Sequence, residues 1–280
     1  MSRPGRLGLG RWGGTELPVA LLLVGAYLFP LYWMYVTALK TQSEIFRSPP
    51  SFWPHHLHAA FAEVFVGHAM GHYLWNTTLI AGGTTLLTVL LGTGGSYVLA
   101  RHRNRWINAA LFLVLVLQAL PPSLLVTPIF VAFNQLGLLA TPRLAVVLAQ
   151  TGKMVPLFIV LCRASFAQVP RELEEAAMVD GASRWKAFTL IAVPLARNGI
   201  LVCAILVFLQ SLGEYVYSRS LIVSDSLQTA TVGLRGFLGT NTTDWGGVMT
   251  YAAIYVTPIL LIFAALQSRI VGGLTAGALK

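Results

Sequence analysis

Four of the ten acidic residues in this 280-residue chain fall in one polar interval: Glu172, Glu174, Glu175 and Asp180. A cluster of carboxylates at one membrane face is what a membrane-embedded enzyme, such as a lipid-linked glycosyltransferase, needs for acid–base work. The residues around them read first as helix punctuation. Pro170 suits a first helical turn, where its missing N–H is not needed. The glutamates that follow favour a positive helix N-terminus, and Gly181 is a natural stop. Ser183 caps a second helix, with Arg184, Trp185 and Lys186 in its first turn. The spacing predicts two short helices joined at Asp180-Gly181-Ala182. Ala176 and Ala177, with their small side chains, let another backbone come close.

Other chemistry-bearing residues are scattered. His68 and His72 share a helical spacing, but Ala69 stands where a zincin needs Glu. The cluster His55, His56 and His58 reads as a wet loop, and no catalytic or metal site is expected. Gly152-Lys153 is followed by Met154, and position 147 is Val147, so no phosphate-cradling GxxxxGK[ST] loop exists. No GxSxG nucleophile turn exists either. Cys162 and Cys203 lie in apolar runs as small packing residues. Two charges fall inside apolar runs: Lys153 and Glu214. A charge at membrane depth faces a bundle interior or a water-filled path. Lys153, Glu214, Tyr215 and Gln118 are therefore candidates for a translocation path, with internal hydrogen bonding as the alternative for the two charges.

The elements that must hold these residues are set by composition. The chain is 56% hydrophobic and 10% charged, against about 25% charged in soluble domains. The expected fold is all-α, a polytopic integral membrane protein with six transmembrane helices. A crossing needs about 20 apolar residues, and runs of that kind cover about 17–39, 77–99, 107–133, 144–166, 199–219 and 247–270. Residues 1–15 read as an N-terminal tail, 16–271 as the membrane domain with the polar loop at 167–197, and 272–280 as a C-terminal tail. Pro30 is expected to kink the first helix. Pro121-Pro122 and Pro128 interrupt the third. Gly82, Gly83, Gly92, Gly94 and Gly95 allow close packing of the second.

The net charge of +9 does not point to nucleic acid, because Lys and Arg sit at the ends of apolar runs rather than in one patch. With both termini inside, thirteen of these residues lie on the inner side and five on the outer, with Lys153 within a span. That bias puts the 167–197 loop and both termini in the cytoplasm.

The stretch Glu175-Ala176-Ala177, then Gly181, then Ile191 and Val193-Pro194 resembles the EAA motif of ABC importer permeases, with Val193 where Leu is usual. Ala38-Leu39-Lys40-Thr41, Asn76-Thr77, Leu136-Gly137-Leu138, Gly213-Glu214-Tyr215, Gln228-Thr229-Ala230 and the tail 273–278 extend the likeness over nearly the whole chain. It resembles permeases of the carbohydrate uptake type-1 family, of the maltose permease G-subunit type. Gly213 departs from the Asn that many members carry before the span-five acid.

The resemblance implies a type I ABC importer permease fold in a bacterial plasma (inner) membrane. It implies a non-catalytic subunit with no cofactor of its own, ATP and Mg being on partner ATPase subunits. The implied partners are a second, non-identical permease, two copies of the ATPase and an extracytoplasmic substrate-binding protein, a lipoprotein, all around a lipid bilayer. Glu175, Ala176, Ala177, Asp180 and Gly181 are then the ATPase-coupling residues, and Gly273, Thr275 and Gly277 tail contacts with the ATPase. The loop 231–246 would meet the binding protein. The implied cargo is a sugar or oligosaccharide. Glycerol phosphate or a glycerophosphodiester is the alternative, since those permeases share the motifs.

Overall fold

The computed structural model describes residues 16–55, 61–67, 69–102, 104–238 and 243–275. Helices dominate, and the described residues contain only one isolated β-bridge, between Leu238 and Thr243. The helices are α1 (Glu16–Ala38), α2 (Gln42–Ile45), α3 (Phe61–Gly67), α4 (Met70–Arg101), α5 (Arg105–Gln118), α6 (Pro122–Gln135), α7 (Pro142–Ala167), α8 (Arg171–Val179), α9 (Arg184–Ala187), α10 (Val193–Leu212), α11 (Val216–Leu221), α12 (Ala230–Gly233) and α13 (Trp245–Thr275). Among the described residues, five helical stretches are long and apolar enough to cross a membrane: Leu17–Ala38, Met70–Arg101, Pro142–Ala167, Arg184–Leu212 and Trp245–Ala265.

Two expectations change. The third run is two helices of 14 residues, α5 and α6, rather than one. Each spans about 21 Å, short of the roughly 30 Å hydrocarbon core. Pro121 and Pro122 bring no N–H groups, and Pro122 forces Pro121 into an extended conformation at φ −65° and ψ 140°. The fifth crossing begins at Arg184 and ends at Leu212, so Gly213, Glu214 and Tyr215 lie between α10 and α11 rather than inside a span. Helix α1 runs through Pro30.

The chain forms two compact units. The first comprises residues 1–67 and 236–254. In it Lys40 is buried, its ammonium 4.5 Å above the Trp33 ring and bonded to the Ser51 carbonyl. Glu44 accepts the His55 backbone N–H at 2.7 Å.

The second unit comprises residues 68–235 and 255–280. Its spine is α4 laid along α7, with α10 against both. Small residues make that approach close. A Cβ on Gly92 would stand 2.4 Å from the Phe158 ring, and one on Gly95 2.9 Å from Ile159. Gly83 meets Val147, while Gly82 and Gly94 face open space. One core, with Phe158, Cys162, Phe166, Phe188 and Cys203, fills the end of this spine near the EAA loop. A second, with Ile80, Val146, Tyr217 and Leu221, fills the other end.

Candidate functional site: the EAA loop and the membrane-depth charges

The EAA loop folds as its residues dictate. Helix α8 ends in a Schellman turn: Ala182 N–H donates to the Ala177 carbonyl at 2.9 Å and Gly181 N–H to Met178 at 3.1 Å. Gly181 holds φ +88°, the left-handed conformation that this turn requires. The Ser183 hydroxyl accepts the Lys186 N–H at 3.3 Å and starts α9. Residues 188–192 then form one π turn, in which the Val193 N–H reaches back five residues to the Phe188 carbonyl. Pro194 follows and has no N–H to give, so the widened turn absorbs the gap it makes in the helical ladder.

One side of α8 is clamped. Glu174 is buried and paired with Arg101, at the end of α4. The Arg101 Nε donates to Glu174 Oε1 at 3.1 Å. Its terminal nitrogens donate to the carbonyls of Phe166 at 3.0 Å and Val169 at 3.2 Å, where α7 ends and its carbonyls lack helical partners. The Tyr97 hydroxyl donates to Glu174 Oε2 at 2.7 Å. Arg171 donates to the Arg101 carbonyl at 2.7 Å. One guanidinium thus ties α4, α7 and α8 together.

The other side is open. Glu175, Ala176, Asp180 and Gly181 are exposed and Ala177 is half-buried. Beside them stand exposed apolar side chains, Leu173, Met178, Val179 at 87% and Trp185 at 71%.

The far end of α4 carries a different network. Asn76 donates to the carbonyls of Ser226 at 3.0 Å and Gln228 at 2.9 Å and accepts from Arg143 at 2.7 Å. The Thr77 hydroxyl accepts the Ala230 N–H at 2.9 Å. Two motifs about 150 residues apart in sequence thereby meet.

The two candidate path charges part company. The Glu214 carboxylate accepts from the Tyr217 N–H at 2.7 Å, from the Ser218 N–H and hydroxyl at 3.1 Å each, and from Gln150 at 3.5 Å. Gln150 in turn accepts from Ser211 and from Thr84. This is internal bonding, and it fixes the break between α10 and α11. Tyr215 is exposed. Lys153 and Gln118 meet elsewhere: Gln118 donates to the Lys153 carbonyl, and both line a cavity of about 390 Å³ between α5, α6, α7 and α11.

Residues 92–275 match the family described as binding-protein-dependent transport system inner membrane component. The chain belongs to that family. Among related permeases, the sulfoquinovosyl glycerol transport system permease SmoH of Agrobacterium fabrum is 30% identical over 94% of this chain and 92% of its own. The trehalose/maltose transport system permease MalG of Thermococcus litoralis is 31% identical over 93% and 96%. A solved bacterial ABC transporter for import of the acidic polysaccharide alginate has the same fold, with a TM-score of 0.76 at 17% identity over 95% of this chain and 99% of that one. The protein is therefore a non-catalytic permease subunit of an ABC importer, multi-pass in the plasma membrane. The family leaves the glycosyltransferase alternative without support.

The expected residues of this permease fall into three groups. Glu175, Ala176, Ala177, Asp180 and Gly181 are together on the EAA loop. Lys153 and Gln118 share a cavity, which Glu214 and Tyr215 do not line. Gly273 and Thr275 lie in the last turns of α13, and Gly277, His56, His58, His68 and part of the 231–246 loop lie outside the described residues. Sequence reasoning passed over Arg101 and Glu174 as a pair. The available signal was a basic residue closing one crossing and an acid on the inward phase of a short amphipathic helix.

Proposed function

We propose that this permease forms half of the path for a sugar or oligosaccharide and that ATP hydrolysis drives it through residues 167–197. The assembly contains this chain, a second non-identical permease and two ATPase subunits that bind ATP and Mg. An extracytoplasmic binding protein, held as a lipoprotein, delivers the cargo, and the EAA loop and both termini face the cytoplasm. The observation that carries this reading is the two-sided α8. Its open side offers Glu175, Ala176 and apolar neighbours to a partner, while its closed side is bonded through Glu174 to two crossings. A push on the open side is then delivered to α4 and α7 without loss in a slack joint. Glu175 supplies polar contact and Gly181 the turn. Gly273, Thr275 and Gly277 of the tail add a second contact with the ATPase. Relatives are named for trehalose/maltose and for sulfoquinovosyl glycerol, which supports carbohydrate as the cargo class.

The test is a gentle-detergent pull-down of the tagged chain with ATP hydrolysis measured on the eluate. A second permease and an ATPase co-purify, and hydrolysis rises when the binding protein is added. The chain recovered alone, stable and without ATPase, overturns the reading.

A further inference from the structure

Lys153 stands near the middle of α7, at the depth where a lone charge is costly and needs a partner or water. Among the described residues its ammonium makes no hydrogen bond and no ion pair. Glu214 is not available to it, because its carboxylate is bound by Tyr217, Ser218 and Gln150. Lys153 lines the 390 Å³ cavity instead. That volume is in the range of small-molecule pockets, about 300–1,000 Å³.

The rest of the lining suits a hydroxylated guest. Pro156 has no N–H, so the carbonyl of Gly152, a residue of the cavity wall, lacks its α-helical donor. Tyr217 lines the wall too, and its hydroxyl has no hydrogen bond among the described residues. Phe133, Ile129 and Pro156 give the remainder an apolar character. A few polar groups on an apolar wall are what orients a small ligand. Here the residues that bring polar groups to the wall are Lys153, Gln118, Gly152 and Tyr217.

We infer that Lys153 receives an anionic group, a carboxylate, sulfonate or phosphate, borne by a sugar-sized polyhydroxylated ligand passing through this cavity. A lysine acts as a point charge and serves these anions alike. The inference rests on the permease reading and names its cargo class.

The test uses the assembled transporter, purified with its partners and shown to hydrolyse ATP, so that failure of the permease reading is seen first and separately. Lys153 is acylated with an amine-reactive reagent and quantified by peptide mass spectrometry, with glucuronate, glycerol 3-phosphate or glucose present as probes. Protection by glucuronate or by glycerol 3-phosphate, and not by glucose, is the expected result, and whichever of the two protects identifies a sugar acid or a phosphate ester as the source. Equal protection by glucose, or protection by none, overturns the inference. So does a carbodiimide cross-link from Lys153 to the second permease, which makes the lysine half of an inter-subunit ion pair. In vesicles with the binding protein, Lys153→Met lowers uptake of the protecting anion about tenfold or more, and Lys153→Arg restores most of it. Co-purification of the Lys153→Met chain with the ATPase confirms that it assembles.

Discussion

The two ends of the α4–α7 spine hold their loops by opposite means. At the EAA end, one charged pair carries the joint: Arg101 bonds to Glu174, Phe166 and Val169, and Tyr97 completes the carboxylate. At the far end the work is shared among several side chains, with Asn76 on two loop carbonyls and accepting from Arg143, Thr77 on Ala230 and Gln228 on Ile222. The first arrangement concentrates the load in a single residue and is stiff. The second spreads it and yields one bond at a time. A loop that must transmit force needs the first kind, and a loop that only has to stay put can use the second.

That contrast predicts unequal costs. Arg101→Met leaves Glu174 buried and uncompensated, a loss of about 3–5 kcal/mol. Thermal unfolding of the purified complex should show it, and Arg101→Met with Glu174→Leu should regain most of the stability but not the coupling of uptake to ATP hydrolysis. Full coupling in the double variant would remove the mechanical role from the pair. Asn76→Ala should cost less, about 1–3 kcal/mol, because Ser226 is exposed and its carbonyl can take water, leaving only the Gln228 carbonyl dry, and hydrogen exchange should rise over 222–230 while ATP-coupled uptake persists. A cost equal to that of Arg101→Met would erase the contrast between the ends. Between the ends, Gly92→Ala forces the Phe158 ring to move and should cost about 1–3 kcal/mol. Gly94→Ala, which meets nothing within 4 Å, should be neutral or slightly stabilising. Matched melting curves decide whether the strut depends on that contact. The smallest effect is Ser183→Ala, about 1 kcal/mol from the lost helix cap, visible as faster exchange confined to 183–187.

Much of this was legible in the residues. Apolar length alone places α1, α4, α7 and α13, because a crossing helix satisfies its own backbone and needs only a run of the right size. Gly181 and Ser183 announced their turn because backbone geometry restricts which residues fit there. The third run misled because Pro121-Pro122 stands inside continuous apolar sequence, where hydropathy is blind to a missing N–H. The fifth misled because Glu214 looks like a buried charge within a span, whereas its oxygens bind the first N–H groups of α11. Glu174 was indistinguishable from Glu172 and Glu175 by type. Only the rotation of α8 against α4 separates the one that is clamped from those that are presented.

The π turn at 188–192 has a consequence for anyone moving this loop between proteins. A surplus residue in one helical turn advances everything beyond it by about 100° around the axis. The loop and the crossing therefore keep their relative azimuth only if 188–194 travels as one block. A chimera spliced after Pro194 carries that phase offset with the loop. One that replaces the segment with regular helix keeps Glu175 to Gly181 and turns their exposed face about a quarter-circle away.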